Sequence, residues 1–346
     1  MDVTAVVVNW NGEGYLTPCL EALRALDLAE VILVDNASTD GSLALVEERF
    51  PEVRVVAVGE NAGPARARNV GMEAARTPWV LALDNDVVVP PDLLGPLVAA
   101  ATSRPGVAAV QPRSVFAAEP TRVHYDGGAL HYAGLFSLRN WYRPLAEADG
   151  SGVAEVGGFV SLCALVDRRA LLELGGYDER YFILFEDLDL SHRLRLAGLT
   201  ILCAEDVVVL HDAGTPGISF REGRDYPASR VFYHSRNRWL YLFKCARWWT
   251  LLLALPGLCV YELAWFAFAV RQGGLVSWTR GKLAFLADLP RSWRLRRAVQ
   301  RSRVRGDRGL LVGGPLTLTP ALDSRPARLL DRALRAWWAL VGPLVR

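Results

Sequence analysis

At 346 residues the chain is long enough for one to three domains around a large core. Its 51% hydrophobic content and mean hydropathy of +0.17 are high for a wholly soluble enzyme and point to membrane contact or a deeply buried sheet. Net charge is only +2, but from Arg271 onward 16 Arg or Lys stand against 4 Asp or Glu, so the tail carries +12 and the preceding 270 residues −10. An acidic body with a basic, Trp-rich tail suggests a tail that meets an anionic surface. Five scattered cysteines without a C-x-x-C pair argue against a zinc site or a disulfide framework and fit a reducing compartment. Met1-Asp2-Val3-Thr4 has no basic n-region, so no signal peptide is expected.

Residues 3–8 are a short, β-branched apolar run followed by Asn11-Gly12, the form of a buried parallel strand ending in a turn. Leu16, Leu20, Leu23 and Leu26 then recur at helical spacing. Residues 31–34 are a second strand, closed by Asp35-Asn36-Ala37-Ser38-Thr39-Asp40-Gly41; a helix over 43–50 and a strand over 53–58 follow. Asn61-Ala62-Gly63-Pro64 opens a third helix, with Pro near its first turn. Residues 79–83 form a fourth strand that runs into Asp84-Asn85-Asp86. The alternation predicts βαβ units on a Rossmann-like α/β sheet, mainly parallel and flanked by helices. Pro90-Pro91 starts another helix and 107–110 another strand, but 113–150 lose the rhythm and are expected to form irregular hairpins over the sheet's edge. Strand character resumes over 153–166, and 168–174 form a short helix closed by Gly175-Gly176. The helix after Glu186-Asp187-Leu188-Asp189 ends at Gly198, and 201–204 and 207–210 read as two strands, with His211 just past the second.

Four places carry chemistry. Asp84 and Asp86 put two hard oxygen donors at the carboxyl end of a strand, where open α/β sheets hold their ligands. They suit a divalent cation that keeps positions for phosphate oxygens, or they are a polar turn, D-x-D alone being a weak pattern. The Asp35 loop, with carboxylates, Asn36 and hydroxyls, suits a pyrimidine base and a ribose, or a helix cap. Arg66, Arg68 and Asn69 lie on the third helix near the same edge, where Arg meets a diphosphate or simply water. Glu186 and Asp187 emerge from the apolar stretch 182–185, a setting that raises a carboxylate pKa toward a general base's range; an acidic first helical turn is the plainer reading. His211 offers a metal or phosphate ligand, or a structural imidazole.

Taken in order, these stretches resemble the family 2 glycosyltransferases of GT-A fold, and more narrowly the bacterial rhamnosyltransferase-like branch. The matching segments are Val6-Val7-Val8-Asn9-Trp10-Asn11-Gly12, Val34-Asp35-Asn36-Ala37-Ser38-Thr39-Asp40-Gly41-Ser42, Asn61-Ala62-Gly63, Leu83-Asp84-Asn85-Asp86, Gly176-Tyr177-Asp178-Glu179-Arg180-Tyr181-Phe182 and Phe185-Glu186-Asp187-Leu188-Asp189-Leu190, within about residues 3–240. The resemblance implies that a nucleoside diphosphate sugar (dTDP- or UDP-linked, with rhamnose foremost) is held by Val8, Asn9, Asp35, Asn36, Asn61, Arg66, Asp84 and Asn85. It implies Mg²⁺ or Mn²⁺ on Asp86, Asp84 and His211. Asp187, or else Glu186, would take the proton of the acceptor hydroxyl, with inversion in a single displacement. Two departures stand out. Ser235-Arg236-Asn237-Arg238-Trp239 has Ser where processive synthases have Gln, which favours one sugar per binding event and gives Arg236 and Asn237 an acceptor or phosphate role. Val160-Ser161-Leu162-Cys163 replaces a small Gly-Ala pair and changes the acceptor pocket.

A catalytic domain over 1–240 is therefore expected, with a hydrophobic and amphipathic helical region over 241–346. Residues 248–270 hold one formal charge, Glu262, and as a helix would be about 35 Å long, enough to cross a bilayer core. Pro256-Gly257 and Glu262 weaken a span, and residues 329–345 read as an amphipathic helix on an anionic leaflet. The expected setting is the cytoplasmic face of a bacterial membrane, peripheral or single-pass, with a lipid-linked or polysaccharide acceptor, a homodimer allowed and no nucleic-acid partner. The competing readings are a processive polysaccharide synthase, a nucleotidyltransferase, disfavoured because no Lys precedes Lys244, and a catalytically silent nucleotide-sugar-binding membrane partner.

Overall fold

The computed structural model describes residues 2–212 and 226–346. In chain order the elements are β1 (Val3–Asn9), α1 (Glu13–Arg24), β2 (Glu30–Asp35), α2 (Ser42–Arg49), β3 (Arg54–Ala57), α3 (Gly63–Ala74), β4 (Trp79–Asp84), β5 (Val87–Val88), α4 (Leu94–Thr102), β6 (Val107–Phe116), β7 (Glu119–Tyr125), β8 (Gly128–His131) and β9 (Leu135–Leu138). They continue with β10 (Val153–Val156), β11 (Cys163–Asp167), α5 (Arg168–Glu173), α6 (Glu186–Leu196), β12 (Thr200–His211), α7 (Ala228–Cys245), α8 (Trp248–Arg271), α9 (Leu275–Ala287), α10 (Leu289–Ser302), β13 (Leu311–Val312) and α11 (Arg325–Val341). The described residues divide into two compact units, one of 2–127, 139–194 and 199–212, the other of 128–138, 195–198 and 226–346. The expected boundary at 240 falls inside α7, which lies wholly in the second unit.

The first unit is built on a sheet of order β10-β12-β6-β11-β4-β1-β2-β3, with β5 added on β12 and β7 on β6. β3, β2, β1 and β4 are parallel, β11 runs against β4 and β6, and β12 is again parallel to β6. β1, β2 and β4 are buried on both faces, as parallel strands covered by helices require, whereas the edge strand β3 is largely exposed; on one face Val6, Ile32, Val34, Val80 and Ala82 form a core with Ala65, Met72 and Leu190 from the helices. Strand order reverses at β1, which lies between β2 and β4, so the crevice beyond its carboxyl end is where such a sheet takes a ligand.

Two expectations change. Residues 113–150 hold more regular structure than foreseen: β6 continues to Phe116 with all ten residues buried, β7 pairs antiparallel with it, and β8–β9 form a hairpin that belongs to the second unit. Pro112, Arg113 and Ser114 break the apolar run in sequence, yet Arg113 stays buried because its Nε bonds the buried Asp126 carboxylate at 3.2 Å. Likewise 201–204 and 207–210 are one strand, β12, which carries a register shift between Ala204 and Val208.

In the second unit β8 pairs with both β9 and β13, and the Tyr132 ring stacks on Trp338 of α11 at 4.5 Å. Glu262, the acid in the apolar helix α8, is neutralised: it pairs with Arg238 of α7 and, at 2.5 Å, with Lys282 of α9, and accepts from the Trp239 and Trp278 indoles. Elsewhere on α8, Leu252, Leu255, Leu263 and Phe266 are exposed. By length and composition α8 is long and apolar enough to cross a membrane.

Candidate active site

Register brings the first polar residues together. Asn9 pairs with Asp35 across β1 and β2, and Val8 with Asp84 across β1 and β4. The fully buried Asn9 side chain donates to Asp35 Oδ1 (3.2 Å) and to Ser38 Oγ (3.0 Å), and accepts from Asn85 Nδ2 at 2.7 Å. Asn36 donates to Asn61 Oδ1 at 3.0 Å and accepts from the Ala62 amide, which pins the loop before α3. A Cβ at Gly12 would come within 1.9 Å of Asn85 Nδ2, so the turn after β1 must be bare for the Asp84–Asp86 loop to approach.

That loop turns back through β5, whose Val87 and Val88 pair with His211 and Leu210 at the end of β12. As a result one ligand atom each from Asp84, Asp86 and His211 lies within 4.8 Å of the others. His211 Nε2 is 3.3 Å from Asp86 Oδ1, and among the described residues that buried oxygen has no hydrogen-bond donor. An orphaned carboxylate oxygen between a second carboxylate and an imidazole fits a hard divalent cation. Burial raises the Asp84 pKa, Arg68 opposes the rise and Asp86 adds to it. His211 Nδ1 lies 3.3 Å from His124 Nδ1 on β7, and Phe116, His124 and Trp141 extend an aromatic wall beside it, with centroids 4.7 Å (Phe116–His124) and 5.3 Å (His124–Trp141) apart. The Trp141 indole nitrogen is buried there without a hydrogen-bond acceptor among the described residues.

The chain reaches α6 through a constrained turn. Phe182, Leu184 and Phe185 all have φ between 62° and 76°, a region that costs a bulky residue of order 1–3 kcal/mol. The turn delivers Glu186 and Asp187, both buried, to the head of α6. Asp187 Oδ1 accepts from Ser161 Oγ at 2.5 Å, and Ser161 Oγ is 2.6 Å from the Tyr177 hydroxyl; no hydrogen bond among the described residues engages Oδ2. Glu186 Oε1 is 3.4 Å from Arg68 Nη1, whereas Oε2 is buried without a partner among the described residues. Burial pushes the Glu186 pKa up to about 8, with Asp187 adding to the rise and Arg68 opposing it. Arg68, itself buried, donates through Nη2 to Asp84 Oδ1 at 2.7 Å, so one guanidinium joins the Asp84–Asp86 loop to the Glu186–Asp187 turn.

The family model for Glycosyl transferase family 2 matches residues 4–175. An N-acetylglucosaminyl-diphospho-decaprenol L-rhamnosyltransferase of Mycobacterium tuberculosis is 32% identical over 275 residues, which cover 72% of this chain and 87% of that protein. The chain belongs to glycosyl transferase family 2. It is therefore a glycosyltransferase of the rhamnosyltransferase-like kind. A pre-mycofactocin glycosyltransferase of the same organism is also 32% identical, over 67% of this chain and 46% of its own length. Solved structures share the GT-A-like fold: S. aureus TarS 1–349 in complex with UDP-GlcNAc (TM-score 0.53, 18% identity, 87% of each chain) and GalNAc-T7 with UDP, GalNAc and Mn²⁺ (TM-score 0.53, 18% identity, 63% of this chain and 46% of that one).

Within this family 2 enzyme, the structure gathers Asn9, Asp35, Asn85, Asp84, Asp86, His211, Glu186 and Asp187 along the carboxyl edge of the sheet of the first unit. Val8 contributes strand backbone beside Asp84. Arg66 is half-exposed and pairs with Glu179 at 3.0 Å, whereas Arg68 is buried and pairs with Asp84 and Glu186. The helical period holds the signal for that difference, since Ala65, Arg68, Asn69 and Met72 share the buried face of α3. Arg236 and Asn237 lie in the second unit; Asn237 is fully buried and accepts from Arg236 Nε at 2.8 Å. The neighbouring Arg238 and Trp239 hold Glu262, and Ser235 is buried and accepts from the Trp265 indole, so these three residues pack α7 against α8. Sequence reasoning missed His124, Trp141 and the role of Ser161, which sit in the stretch without clear periodicity or in the departure from the family's small pair.

Proposed function

We propose that this enzyme transfers a single sugar, with L-rhamnose foremost, from a dTDP- or UDP-linked donor to a lipid-linked glycan or cell-envelope polysaccharide precursor, with inversion and with Mg²⁺ or Mn²⁺. The observation that carries this reading is the arrangement around Arg68: a carboxylate–carboxylate–imidazole group on one side and two buried carboxylates on the other. The substrate class is supported by the rhamnosyltransferase relative, whose name specifies a diphospho-decaprenol acceptor, and the metal by GalNAc-T7, solved with Mn²⁺. Asp35, Asn9, Asn36, Asn61 and Asn85 bind the nucleoside, whose mixed donors and acceptors they match. Asp86, Asp84 and His211 hold the cation, which when bound supplies Lewis-acid stabilisation to the departing diphosphate. Arg68 aims the Asp84 carboxylate and opposes the rise in its pKa that burial causes.

Asp187 is the base. One of its oxygens is fixed by Ser161, itself held by the Tyr177 hydroxyl, which leaves the other to take the proton of the acceptor hydroxyl. That hydroxyl oxygen bonds the anomeric carbon as the bond to the nucleoside diphosphate breaks, and the electron pair leaves with the phosphate oxygen. Glu186, with its pKa near 8, stays largely protonated at neutral pH and lowers the negative charge beside the base. Arg236 serves the acceptor or a phosphate, with Asn237 orienting it. The region after 240 holds the enzyme at the cytoplasmic face of the membrane, peripherally or through α8. A thermal-shift panel of nucleotide sugars, with and without Mn²⁺, tests the donor: the correct one raises the melting temperature in a metal-dependent way. Absence of any shift across dTDP- and UDP-sugars would overturn the assignment.

A further inference from the structure

We propose that the second unit carries a binding site for the phosphate of an anionic phospholipid headgroup, in a cavity between the α7–α8 corner and α10. The proposal rests on the membrane association inferred above and gives it a chemical address. The cavity measures about 290 Å³ and is lined by Arg247, Trp248, Trp293, Arg296, Arg297 and Gln300.

Its floor has been prepared for negative charge. The last carbonyls of α7 would repel an anion, but they are occupied. Buried Arg296 donates to the carbonyls of Phe243 and Ala246, the latter at 2.6 Å, and Gln300 Nε2 donates to Cys245 O at 2.9 Å and Lys244 O at 3.2 Å. Asp307, the carboxylate next to this corner, is also consumed: it accepts from the Arg247 amide (2.8 Å), from Thr250 Oγ1 (2.6 Å) and from Arg303. The guanidinium groups of Arg247 and Arg297 are left, and no ion pair among the described residues engages either one. α10 as a whole carries Arg291, Arg294, Arg296, Arg297 and Arg301 and no acid.

The walls select a lipid rather than a free anion. The Trp248 and Trp293 rings lie 5.9 Å apart, tilted by 34°, and remain 51% and 42% exposed. Arg296 sits 3.9 Å over the Trp248 ring, so the indole is fixed from behind while its other side meets solvent. Exposed Trp beside Arg is the pairing that suits the boundary between headgroups and acyl chains. The same corner begins α8, with its exposed Leu252 and Leu255. A small inorganic ion would leave these apolar walls unused; a phosphodiester with its glycerol and chain carbons covers them.

The test uses the full chain with vesicles of phosphatidylcholine alone and of phosphatidylcholine doped with phosphatidylglycerol. The variants are Arg247→Gln/Arg297→Gln and a charge-matched control, Arg271→Gln/Arg280→Gln, each checked for an unchanged melting temperature. The expected result is tighter binding to the doped vesicles, reduced roughly 10- to 30-fold in the pocket variant and much less in the control. Equal losses in the two variants would mean diffuse charge and would overturn the site. So would wild-type protein that binds both vesicles equally, although membrane association itself would then stand. Wild-type protein that binds neither vesicle would remove the membrane reading as well. Protection from melting by inorganic phosphate that depends on Arg247 and Arg297, without preference for doped vesicles, would assign the pocket to a free anion instead.

Discussion

Arg68 is the residue on which the two halves of the site depend. Replacing it with Met leaves the Asp84 carboxylate without its cation, and removal of one partner from a buried ion pair costs about 3–5 kcal/mol; urea unfolding at neutral pH would read this loss. Asp187→Asn is expected to lower kcat by about 10²–10⁴-fold with little change in melting temperature. Ser161→Ala, which removes the orienting hydrogen bond and its link to the Tyr177 hydroxyl, is expected to cost about 10-fold, mainly in kcat. Glu186 gives a separate signature. Its pKa is near 8 in the fold and near 4.3 in the unfolded chain, so the native state binds the extra proton and stability is lost as pH rises through that window. Glu186→Gln should therefore gain stability relative to wild type as pH climbs from about 5 to 8, and urea midpoints that stayed parallel across that range would contradict the assignment. Asp84, Asp86 and the Glu186–Asp187 pair were legible in the sequence because each follows an apolar run. Arg68 was not singled out over Arg66, because solvent-facing and core-facing arginines look alike until the helix face is known.

At the level of elements, Asp84, Asp86 and His211 come together because a two-residue strand, β5, folds the Asp86 loop back onto the end of β12. Two residues carry too little pattern to be read as a strand, so the three side chains were named from sequence without the device that assembles them. The same holds for β7, which brings His124 against His211. If His211 is to present an unprotonated Nε2 to a cation, its Nδ1 proton must have an acceptor, and His124 Nδ1 is within reach. His124→Phe keeps the ring and loses the acceptor; it is expected to weaken Mn²⁺ binding about 10- to 100-fold, read directly by calorimetry or electron paramagnetic resonance, with His124→Asn intermediate. The long strands were legible from their β-branched runs. β6 was cut short in the reading by Arg113 and Ser114, polar residues whose burial depends on partners distant in sequence.

For the molecule as a whole, composition foretold a basic, aromatic C-terminal region but not where it parts from the acidic body. The β8–β9 hairpin, contributed from the middle of the chain, packs with the C-terminal elements, and no compositional shift marks that excursion. Glu262, which as a lone charge counted against a membrane span, is enclosed by Arg238, Lys282 and two indoles and acts as the tie between α7, α8 and α9. Glu262→Ala should cost about 3–5 kcal/mol by leaving the fully buried Arg238 uncompensated, seen as a lower melting temperature of the detergent-solubilised protein.

The pairing of β5 with the last strand of the sheet also sets an order of events during synthesis. A growing chain reaches Asp84 and Asp86 early, and β1 to β4 are free to assemble while the ribosome is still far from residue 211. His211 and the rung that holds it arrive more than a hundred residues later. On the proposed function, a nascent or truncated product lacking β12 thus has Asn9, Asp35 and Asn85 for the nucleoside but lacks His211 for the cation. Such a fragment is expected to take up a nucleotide sugar weakly and leave it uncleaved, so that hydrolytic waste of an activated sugar is avoided until the domain is whole.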